Sequence, residues 1–329
     1  MRERLSIDVA AGVGGGSGQT LLEDVRRGLH ASPRSIPPKH FYDARGSELF
    51  DRICDLPEYY LARREDQILR ASAARIVTEA AADALVEFGS GAARKTRLLL
   101  DALAARVAAP VYVPFDVSEE MLRRSAEALL ADYPTLRVHG VVGDYEREVH
   151  RLPRVEGRRL AAFLGSTIGN FDEGDALRFL RAVAATLRAG ERLLVGFDLV
   201  KDAATLNKAY NDAAGVTAEF NRNVLRVINR ELGADFEVDA FAHVAFFDEQ
   251  SSRIEMHLRA TRAMRVRVDA LGETFAIAAG ERIHTENSRK FTRAGVASML
   301  KASGFHETQW LTSADGWVAV ALAERDAAG

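Results

Sequence analysis

Apolar and amphipathic segments alternate along the chain between Ala84 and Asp198. Five short apolar segments have the length of buried strands, namely ALVEFG, PVYVPFD, LRVHGVVGD, RLAAFLGST and ERLLVGFD. The segments between them, such as SEEMLRRSAEALLADY, carry apolar residues at helical spacing. Strands that alternate with helices are typical of βαβ units, which form a mostly parallel sheet. We therefore predict an α/β fold with a Rossmann-like sheet.

The pattern changes after Asp198. Residues 199–233 have a helical pattern, whereas residues 236–278 contain several segments that alternate with a period near two. This stretch is too long for a loop, and we predict that it forms an inserted α+β lobe. The last two apolar segments, FHETQWLT and GWVAVALA, follow each other closely and predict an antiparallel hairpin that completes the sheet. Residues 21–70 are predicted to be mostly helical.

The composition narrows the classes of protein that the chain can represent. It has 329 residues, of which 47% are hydrophobic, enough for one large domain with an insertion or for two domains. A net charge of -3 gives no basic surplus for nucleic acid or an anionic membrane. The single cysteine, Cys54, excludes an internal disulfide and suits a reducing cytoplasm. We expect a soluble, cytoplasmic, monomeric protein without a membrane span.

The first 20 residues differ in composition from the rest of the chain. Their apolar part is too short for a signal peptide and is followed by a glycine-rich stretch from Gly14 to Gly18. A phosphate-binding loop is disfavoured there because no strand is predicted before it. We predict that residues 1–20 form a flexible tail.

A glycine turn follows the first strand of the predicted sheet. The sequence Glu87-Phe88-Gly89-Ser90-Gly91 lies where this strand passes into a helix, and glycines there allow a tight turn and close approach of a ligand. A dinucleotide site would have a third glycine at the position of Arg94. An NAD-dependent oxidoreductase is therefore disfavoured. A plain strand-to-helix turn remains the alternative for the two glycines taken alone.

Two carboxylates follow the next two strands. Asp116 ends the second strand and can accept hydrogen bonds from ribose hydroxyls, although a helix N-cap is the alternative role for an aspartate there. Asp144 follows the third strand, where it can accept from an adenine amino group while Tyr145 packs on the base. With the glycine turn, this order of groups is characteristic of class I methyltransferases, which use S-adenosylmethionine.

Long segments of the chain carry a more specific resemblance. They are FYDARGSELFDRICDLPEYYLARREDQIL (41–69), LVEFGSGAARKTRLLLDAL (85–103), FDVSEEML (115–122), FLGSTIGNF (163–171), GFDLVKD (196–202), LNKAYNDAAGVTAEFNRNVLRVINRELGADF (206–236) and RIHTENSRKF (282–291). In these segments the chain resembles the histidine Nα-methyltransferase family, which makes hercynine for ergothioneine biosynthesis. The resemblance extends from about Pro37 to the C-terminus.

The resemblance implies a division of the chain into domains. The S-adenosylmethionine-binding methyltransferase domain would comprise residues 71–198 and 287–329. The substrate-binding domain would comprise residues 21–70 and 199–286. The fold expected from the resemblance is thus a class I methyltransferase sheet with an inserted α+β substrate-binding lobe.

The resemblance also implies the cofactor-binding residues. They comprise a tyrosine of the FYD segment, the glycine loop with its lysine, and the acids after the second and third strands. In this sequence they are Tyr42, Gly89, Gly91, Lys95, Asp116, Asp144 and Tyr145. Where the family often has phenylalanine after the second acid, Tyr145 retains an aromatic face.

The resemblance places the amino-acid substrate against a second set of residues. Asn170 would bridge the substrate carboxylate and amine, Tyr210 would donate to the carboxylate, and Tyr59 would lie near the nitrogen. Tyr59 and Asn170 are the expected catalytic residues. Glu286 and Ser288 would contact the imidazole ring. The full set is Tyr59, Asn170, Tyr210, Met256, Glu286 and Ser288.

Several alternatives remain for these residues. Glu286 taken alone is expected on a strand surface, paired with Arg289 or Lys290, and Tyr59 taken alone is a packing residue. Regular strand alternation places His284 on the face of Glu286. The histidines lack paired ligand spacing, so we expect no metal site.

Two other functions are alternatives to histidine methylation. A relative could act on another amino acid such as a tryptophan derivative, but an indole has no acceptor nitrogen to match Ser288. A catalytically silent cofactor-binding regulatory protein is disfavoured because every matched position has a suitable side chain.

Overall fold

The computed structural model describes residues 4–9 and 16–327 of the chain. Its strands are β1 Leu5–Val9, β2 Arg34–Ser35, β3 Ala84–Phe88, β4 Val111–Asp116, β5 Arg137–Val142, β6 Arg159–Phe163, β7 Arg192–Asp198, β8 Phe241–Asp248, β9 Arg253–Ala260, β10 Met264–Val268, β11 Glu273–Ile277, β12 Arg282–Arg289, β13 Phe305–Thr312 and β14 Val318–Arg325.

The helices alternate with these strands in the middle of the chain. They are α1 Gly16–His30, α2 Ala44–Asp55, α3 Tyr60–Glu79, α4 Thr96–Arg106, α5 Glu119–Asp132, α6 Tyr145–Glu148, α7 Glu173–Thr186, α8 Ala203–Ala209, α9 Val216–Leu232 and α10 Arg293–Ala302. Short 3₁₀ helices span Pro38–Phe41, Val149–Arg151, Thr167–Asn170, Val238–Ala240 and Asp269–Leu271.

The chain divides into two units. The first comprises Met1–Ala10, Leu61–Val200 and Arg289–Gly329. The second comprises Ala11–Tyr60 and Lys201–Ser288. The sequence-based boundary at residue 70 differs from this division, because α3 belongs to the first unit from Leu61 onward. The apolar stripe of α3 is buried there, with Ile68, Leu69 and Ile76 at most 5% exposed.

An eight-stranded sheet forms the first unit, in the order β1-β5-β4-β3-β6-β7-β14-β13. The strands from β1 to β7 pair in parallel, whereas β14 pairs antiparallel with both β7 and β13. If β3 is counted first, the five parallel strands from β5 to β7 in this order have the arrangement 3-2-1-4-5 of a Rossmann sheet, and β1 adds a further parallel strand at the edge. The predictions of a mostly parallel Rossmann-like sheet and of a closing antiparallel hairpin are confirmed. The order reverses at β3, so the carboxyl ends of β3 and β6 mark the ligand-binding edge.

The edge strand β1 corrects the prediction of a flexible tail over residues 1–20. Leu5–Val9 pair in parallel with β5, because their alternating side chains suit an edge strand with one partly buried face. The helix α1 already begins at Gly16. Just before β1, the guanidinium of Arg4 donates to three carbonyls at 3.0–3.2 Å, those of Leu130, Tyr133 and Leu136. Residues 1–3 and 10–15, which include Gly14, lie outside the described residues.

The second unit contains a four-stranded sheet in the order β2-β12-β9-β8 and a separate hairpin of β10 and β11. The helix α9 packs on β8 and β9, and its own buried positions recur at helical spacing. Four buried apolar side chains of α9 are Phe220, Val224, Leu225 and Ile228. This unit therefore has the α+β character that the period-two pattern predicts.

Candidate active site

The glycine turn lies at the carboxyl end of β3. Gly89 and Gly91 have φ angles of +68° and +47°, so both adopt the left-handed conformation that glycine allows without steric cost. A Cβ atom at Gly91 would meet no other atom within 4 Å. Open space therefore adjoins the turn, and a ligand can approach its backbone closely.

The carboxylate of Asp116 lies against this turn. Its Oδ2 accepts from the backbone N–H of Gly91 at 2.9 Å, and its Oδ1 accepts from the N–H of Ser118 at 3.0 Å. The N-cap of the following helix is Ser118 rather than Asp116. Burial raises the pKa of Asp116, and the backbone hydrogen bonds partly oppose this effect. The alternative role of Asp116 as a helix cap is therefore wrong, and its carboxylate is directed at the glycine turn.

Asp144, the acid after the third strand of the predicted sheet, caps the short helix α6. Its Oδ1 accepts from the N–H of Glu146 at 3.0 Å. The ring of Tyr145 lies edge-on to Phe88, Phe115 and Phe163, with centroid distances of 5.7–6.4 Å. A Cβ atom at Gly89 would lie 3.8 Å from the hydroxyl oxygen of Tyr145. The structure thus brings Tyr145 beside the glycine turn.

Glu65 is a buried acid that contacts both Lys95 and the turn before Asn170. The sequence patterns did not identify it as a site residue. Lys95 donates to the carboxylate of Glu65, which also accepts from the N–H of Gly165. Asn170 ends the 3₁₀ helix that follows Gly165. The signal for Glu65 is its place on the apolar stripe of α3, where a charged side chain needs a specific partner.

A second buried acid, Glu87, lies under the glycine turn. The hydroxyls of Thr96 and Tyr112 each donate to its Oε2 at 2.6 Å. Burial raises the pKa of Glu87 to about 7, although these hydrogen bonds and Lys95 oppose the rise. The folded protein therefore favours the protonated form of Glu87 more than the unfolded chain does.

A pH dependence of stability follows from Glu87. Because its pKa is raised on folding, its stabilising contribution is present below about pH 4.5 and is lost as the pH rises to about 7. Relative to Glu87→Gln, the free energy of unfolding of the wild type should fall over this range by on the order of 3 kcal/mol. Urea denaturation at a series of pH values measures the difference.

The control for this titration is Glu191→Gln. Ion pairs with Arg159 and Arg188 lower the pKa of Glu191 to about 2 against the effect of burial, so its contribution is lost only as the pH falls. The difference in the free energy of unfolding between this variant and the wild type should stay constant between pH 5 and 8. A constant difference for Glu87→Gln as well would contradict the raised pKa.

The predicted substrate residues of the second unit form a buried cluster. The hydroxyl of Tyr210 donates to Ser288 Oγ at 2.7 Å, and the ring of Tyr59 lies edge-on to that of Tyr210, with centroids 6.2 Å apart. Tyr59, Tyr210, Glu286 and Ser288 are each at most 8% exposed. The sequence-based alternative that places Glu286 on a strand surface is therefore wrong.

Tyr59 stays protonated in this cluster. Burial raises its pKa well above the usual value, and Tyr210, Cys54, Glu286 and Tyr42 add to the rise. A neutral hydroxyl can accept a hydrogen bond from an amine and donate one to an acceptor. Tyr42 belongs to the same aromatic group, since its ring centroid lies 5.6 Å from that of Phe50, which in turn lies 6.4 Å from that of Tyr59.

The strand β12 changes its alternation between Thr285 and Glu286, which are consecutive and both buried. His284 Nε2 lies 2.9 Å from Oδ1 of Asn287, three residues further along the chain. Glu286, in contrast, lies near Tyr59 and helps to raise the pKa of the Tyr59 hydroxyl. The prediction that His284 shares the face of Glu286 is therefore wrong. Regular alternation does not hold here, because such an irregularity turns the following side chains to the other face.

The hydroxyl of Thr285, before this irregularity, lies between two hydrogen-bond acceptors that share its single proton. The hydroxyl oxygen lies 2.7 Å from Oδ1 of Asn221 and 3.0 Å from the carbonyl oxygen of Met256. Asn221, on α9, also donates to the carbonyl of His257 at 3.0 Å. Met256 is 1% exposed on β9. The backbone that carries Glu286 is thus tied to α9 and to the strand that carries Met256.

The described part of the chain, residues 4–9 and 16–327, contains neither a candidate metal centre nor a candidate membrane span. Within that part of the chain no group of three or more histidine, cysteine, aspartate or glutamate side chains could hold a metal ion. Among the same residues, no helix is both long and apolar enough to cross a membrane.

A Rossmann-like sheet with left-handed glycines after its first strand and a carboxylate at the end of its second is typical of a nucleoside-binding fold. The family model for S-adenosylmethionine-dependent, histidine-specific methyltransferases matches residues 21–325. The chain belongs to this family.

Relatives of known name support this assignment. The chain is 50% identical to "Histidine N-alpha-methyltransferase" of Mycolicibacterium smegmatis, over 93% of this chain and 95% of the relative. It is 49% identical to the protein of the same name from Mycobacterium tuberculosis, over 98% of this chain and 100% of that protein. "Ergothioneine biosynthesis protein 1" of Neurospora crassa is 32% identical over 84% of this chain, which spans 32% of that longer protein.

Proposed function

We propose that this protein transfers three methyl groups, one after another, from S-adenosylmethionine to the α-amino nitrogen of L-histidine, giving hercynine for ergothioneine biosynthesis. The observation that carries the proposal is the burial of Glu286 and Ser288 beside Tyr210 and Tyr59. A carboxylate and a hydroxyl in one buried cluster suit an imidazole ring, which has one N–H and one acceptor nitrogen.

The residues at and near the glycine turn suit a cofactor that carries a nucleoside and a sulfonium group. The open space at Gly91 and the adjacent carboxylate of Asp116 suit a ribose, whose two hydroxyls can donate to that carboxylate. Asp144 and Tyr145 would hold the adenine base. Lys95 and Tyr42 would hold the remainder of the cofactor. When bound, the cofactor supplies an activated methyl group on its sulfonium sulfur.

The substrate residues have separate tasks. Glu286 accepts from the ring N–H of histidine, and Ser288 meets the other ring nitrogen beside Met256. Tyr210 and Asn170 bind the carboxylate, and the amide of Asn170 also contacts the amine. Such positioning supplies much of the rate, because the methyl group is already activated and the transfer needs alignment.

Tyr59 governs the amine itself. The amine must lose its proton before it attacks, and the neutral Tyr59 hydroxyl can accept a hydrogen bond from it and orient its lone pair. Because the pKa of Tyr59 is raised, we assign it orientation and proton passage to water rather than the role of a phenolate base. Its aromatic ring also suits the cationic product, since a cation over such a face gains about 0.5–2 kcal/mol.

The direct test is an acceptor screen. The purified wild type is incubated with S-adenosylmethionine and each of the twenty amino acids, and the product masses are followed. We expect only histidine to gain three methyl groups. Nα-acetylhistidine is the matched control, because it keeps the imidazole and blocks the amine. Methylation of that control would place the transfer on the ring, and methylation of tryptophan or its derivatives instead of histidine would refute the proposed acceptor.

We further propose that the enzyme is a cytoplasmic monomer and that its partner is a small molecule. The near-neutral net charge of -3 supports the absence of a nucleic-acid or membrane partner. Light scattering of the purified protein measures its mass in solution, and a mass twice that of the chain would contradict the monomer.

A further inference from the structure

A fully buried acid, Glu65, lies outside the sets of residues assigned above. It is 0% exposed and occupies the stripe of α3 that also buries Leu61, Ile68 and Leu69. An ionised side chain in such surroundings is stable only with close partners. The partners of Glu65 therefore indicate why a charged residue occupies this position.

The carboxylate of Glu65 bonds to two segments at once. The backbone N–H of Gly165 lies 2.9 Å from both of its oxygens, and Lys95 donates to its Oε2. Lys95 follows the glycine turn and directly precedes α4, whereas Gly165 follows β6. One side chain thus joins the two loops at the carboxyl ends of β3 and β6.

The neighbouring strand leaves room for this carboxylate. A Cβ atom at Gly196, on β7, would lie 1.9 Å from Oε1 of Glu65. No L side chain could be accommodated there without displacing the carboxylate. The glycine at residue 196 therefore suits the close approach of Glu65 to the sheet.

The loop at Gly165 needs support because its backbone is strained. Gly165 has φ +75°, and the next residue, Ser166, is left-handed at φ 55° although it carries a side chain. Such a conformation is unfavourable for a residue with a side chain and persists only where surrounding contacts fix it. Glu65 fixes the N–H of Gly165, and Ser166 Oγ accepts from the N–H of Asp198 at 2.9 Å. The 3₁₀ helix that carries Asn170 starts at the next residue, Thr167.

From these contacts we infer that Glu65 is a positioning residue that orients Lys95 toward the cofactor and holds the turn that carries Asn170. The negative charge of Glu65 attracts the ammonium group of Lys95, and its oxygens accept a hydrogen bond from the N–H of Gly165 in the turn. The inference rests on the proposed function, because that function assigns Lys95 to the cofactor and Asn170 to histidine.

Two substitutions separate the two actions. Glu65→Gln keeps an acceptor oxygen for the N–H of Gly165 and removes the charge opposite Lys95. We expect it to weaken S-adenosylhomocysteine binding about tenfold by calorimetry, the effect of one charged hydrogen bond, and to leave the KM for histidine within about twofold at saturating cofactor. Glu65→Ala removes both actions, so it should weaken cofactor binding and also raise the histidine KM about tenfold.

A merely structural role for Glu65 is tested with Glu191→Gln. Glu191 is equally buried and ion-paired, but it immediately precedes β7, at the amino end of that strand. Both Glu191→Gln and Glu65→Gln should lower the melting temperature, whereas only the latter should change cofactor binding. Equal binding by the wild type and Glu65→Gln would overturn the inference.

A double-mutant cycle tests whether Glu65 acts through Lys95. In a Lys95→Met background, Glu65→Gln should change the affinity for S-adenosylhomocysteine by less than about twofold, since its partner is absent. A full tenfold effect in that background would refute the coupling. Calorimetry with the cofactor product needs no amino acid, so this outcome is independent of the acceptor. If the wild type fails to methylate histidine, the proposed function fails, while the cofactor part of the inference is still decided by binding.

Discussion

Replacing Asp116 with asparagine should weaken the binding of S-adenosylmethionine about 100-fold. Two ribose hydroxyls would donate to this carboxylate, and each hydrogen bond to a charged group contributes about 1.5–3 kcal/mol. An asparagine keeps one acceptor oxygen but places an N–H₂ group where the second hydroxyl donates. The amide would also face the backbone N–H of Gly91, which now donates to Oδ2 at 2.9 Å. Calorimetric titration with S-adenosylhomocysteine measures the loss without turnover.

The matched control for this substitution is Asp172→Asn. Asp172 caps α7 through the N–H of Asp175, and asparagine caps helices about as well as aspartate. Like Asp116→Asn, the control removes one negative charge from the first unit, but it should leave cofactor affinity unchanged. Similar losses in the two variants would show that net charge, rather than the ribose contact, determines binding.

Acidification should reproduce part of the Asp116 effect in the wild type. Burial raises the pKa of Asp116, so its carboxylate becomes protonated at a higher pH than an exposed aspartate. Cofactor affinity should therefore fall as the pH is lowered through that raised pKa. The Asp116→Asn variant should lack this component, because its amide does not titrate.

Replacing Glu286 with alanine should reduce kcat/KM for histidine about 100-fold, while cofactor affinity stays unchanged. The loss combines one hydrogen bond to a charged group, about 1.5–3 kcal/mol, with an imidazole N–H left without an acceptor. Glu286→Gln keeps an acceptor and should lose only about tenfold. Steady-state kinetics with saturating S-adenosylmethionine measures both variants.

Glu255→Gln is the control for the substitutions at Glu286. Glu255 lies on β9 of the same unit and pairs with Arg253 and His257, so it tests the loss of an acid in this sheet. It should leave kcat/KM for histidine near the wild-type value. Unchanged kinetics in Glu286→Ala would refute the role of Glu286 in binding the ring, and equal losses in both glutamate variants would indicate damage to the sheet.

The sequence predicts the strands from β3 to β7 and the closing hairpin of β13 and β14 because each of them is marked by a local pattern. The buried strands β3 and β4 are mostly apolar, the glycine turn follows β3 directly, and Asp116 is the last residue of β4. The side chain of Glu65 could not be placed in this way. Its partners are contributed by segments 30 and 100 residues further along the chain, a pairing that only the tertiary structure creates.

The substrate cluster shows a different limit of prediction. The family resemblance identified Glu286 and Ser288 as substrate residues, whereas strand periodicity placed His284 on the wrong face of β12. The break in alternation at Thr285 depends on hydrogen bonds to Asn221 and to the carbonyl of Met256, far apart in sequence. Local periodicity carries no information about such cross-links, so the face of each residue after Thr285 could not be derived from it.

The edge strand β1 has a consequence for how the chain behaves when it is shortened. Backbone groups along the outer side of β5 are paired with Leu5–Val9, and Arg4 ties this segment to the carbonyls near the end of α5. A chain that starts at residue 20 would leave these groups of β5 open, and a bare strand edge recruits strands from other molecules. Trimming the apparently dispensable beginning of this protein would therefore favour aggregation, although every residue assigned to catalysis would remain.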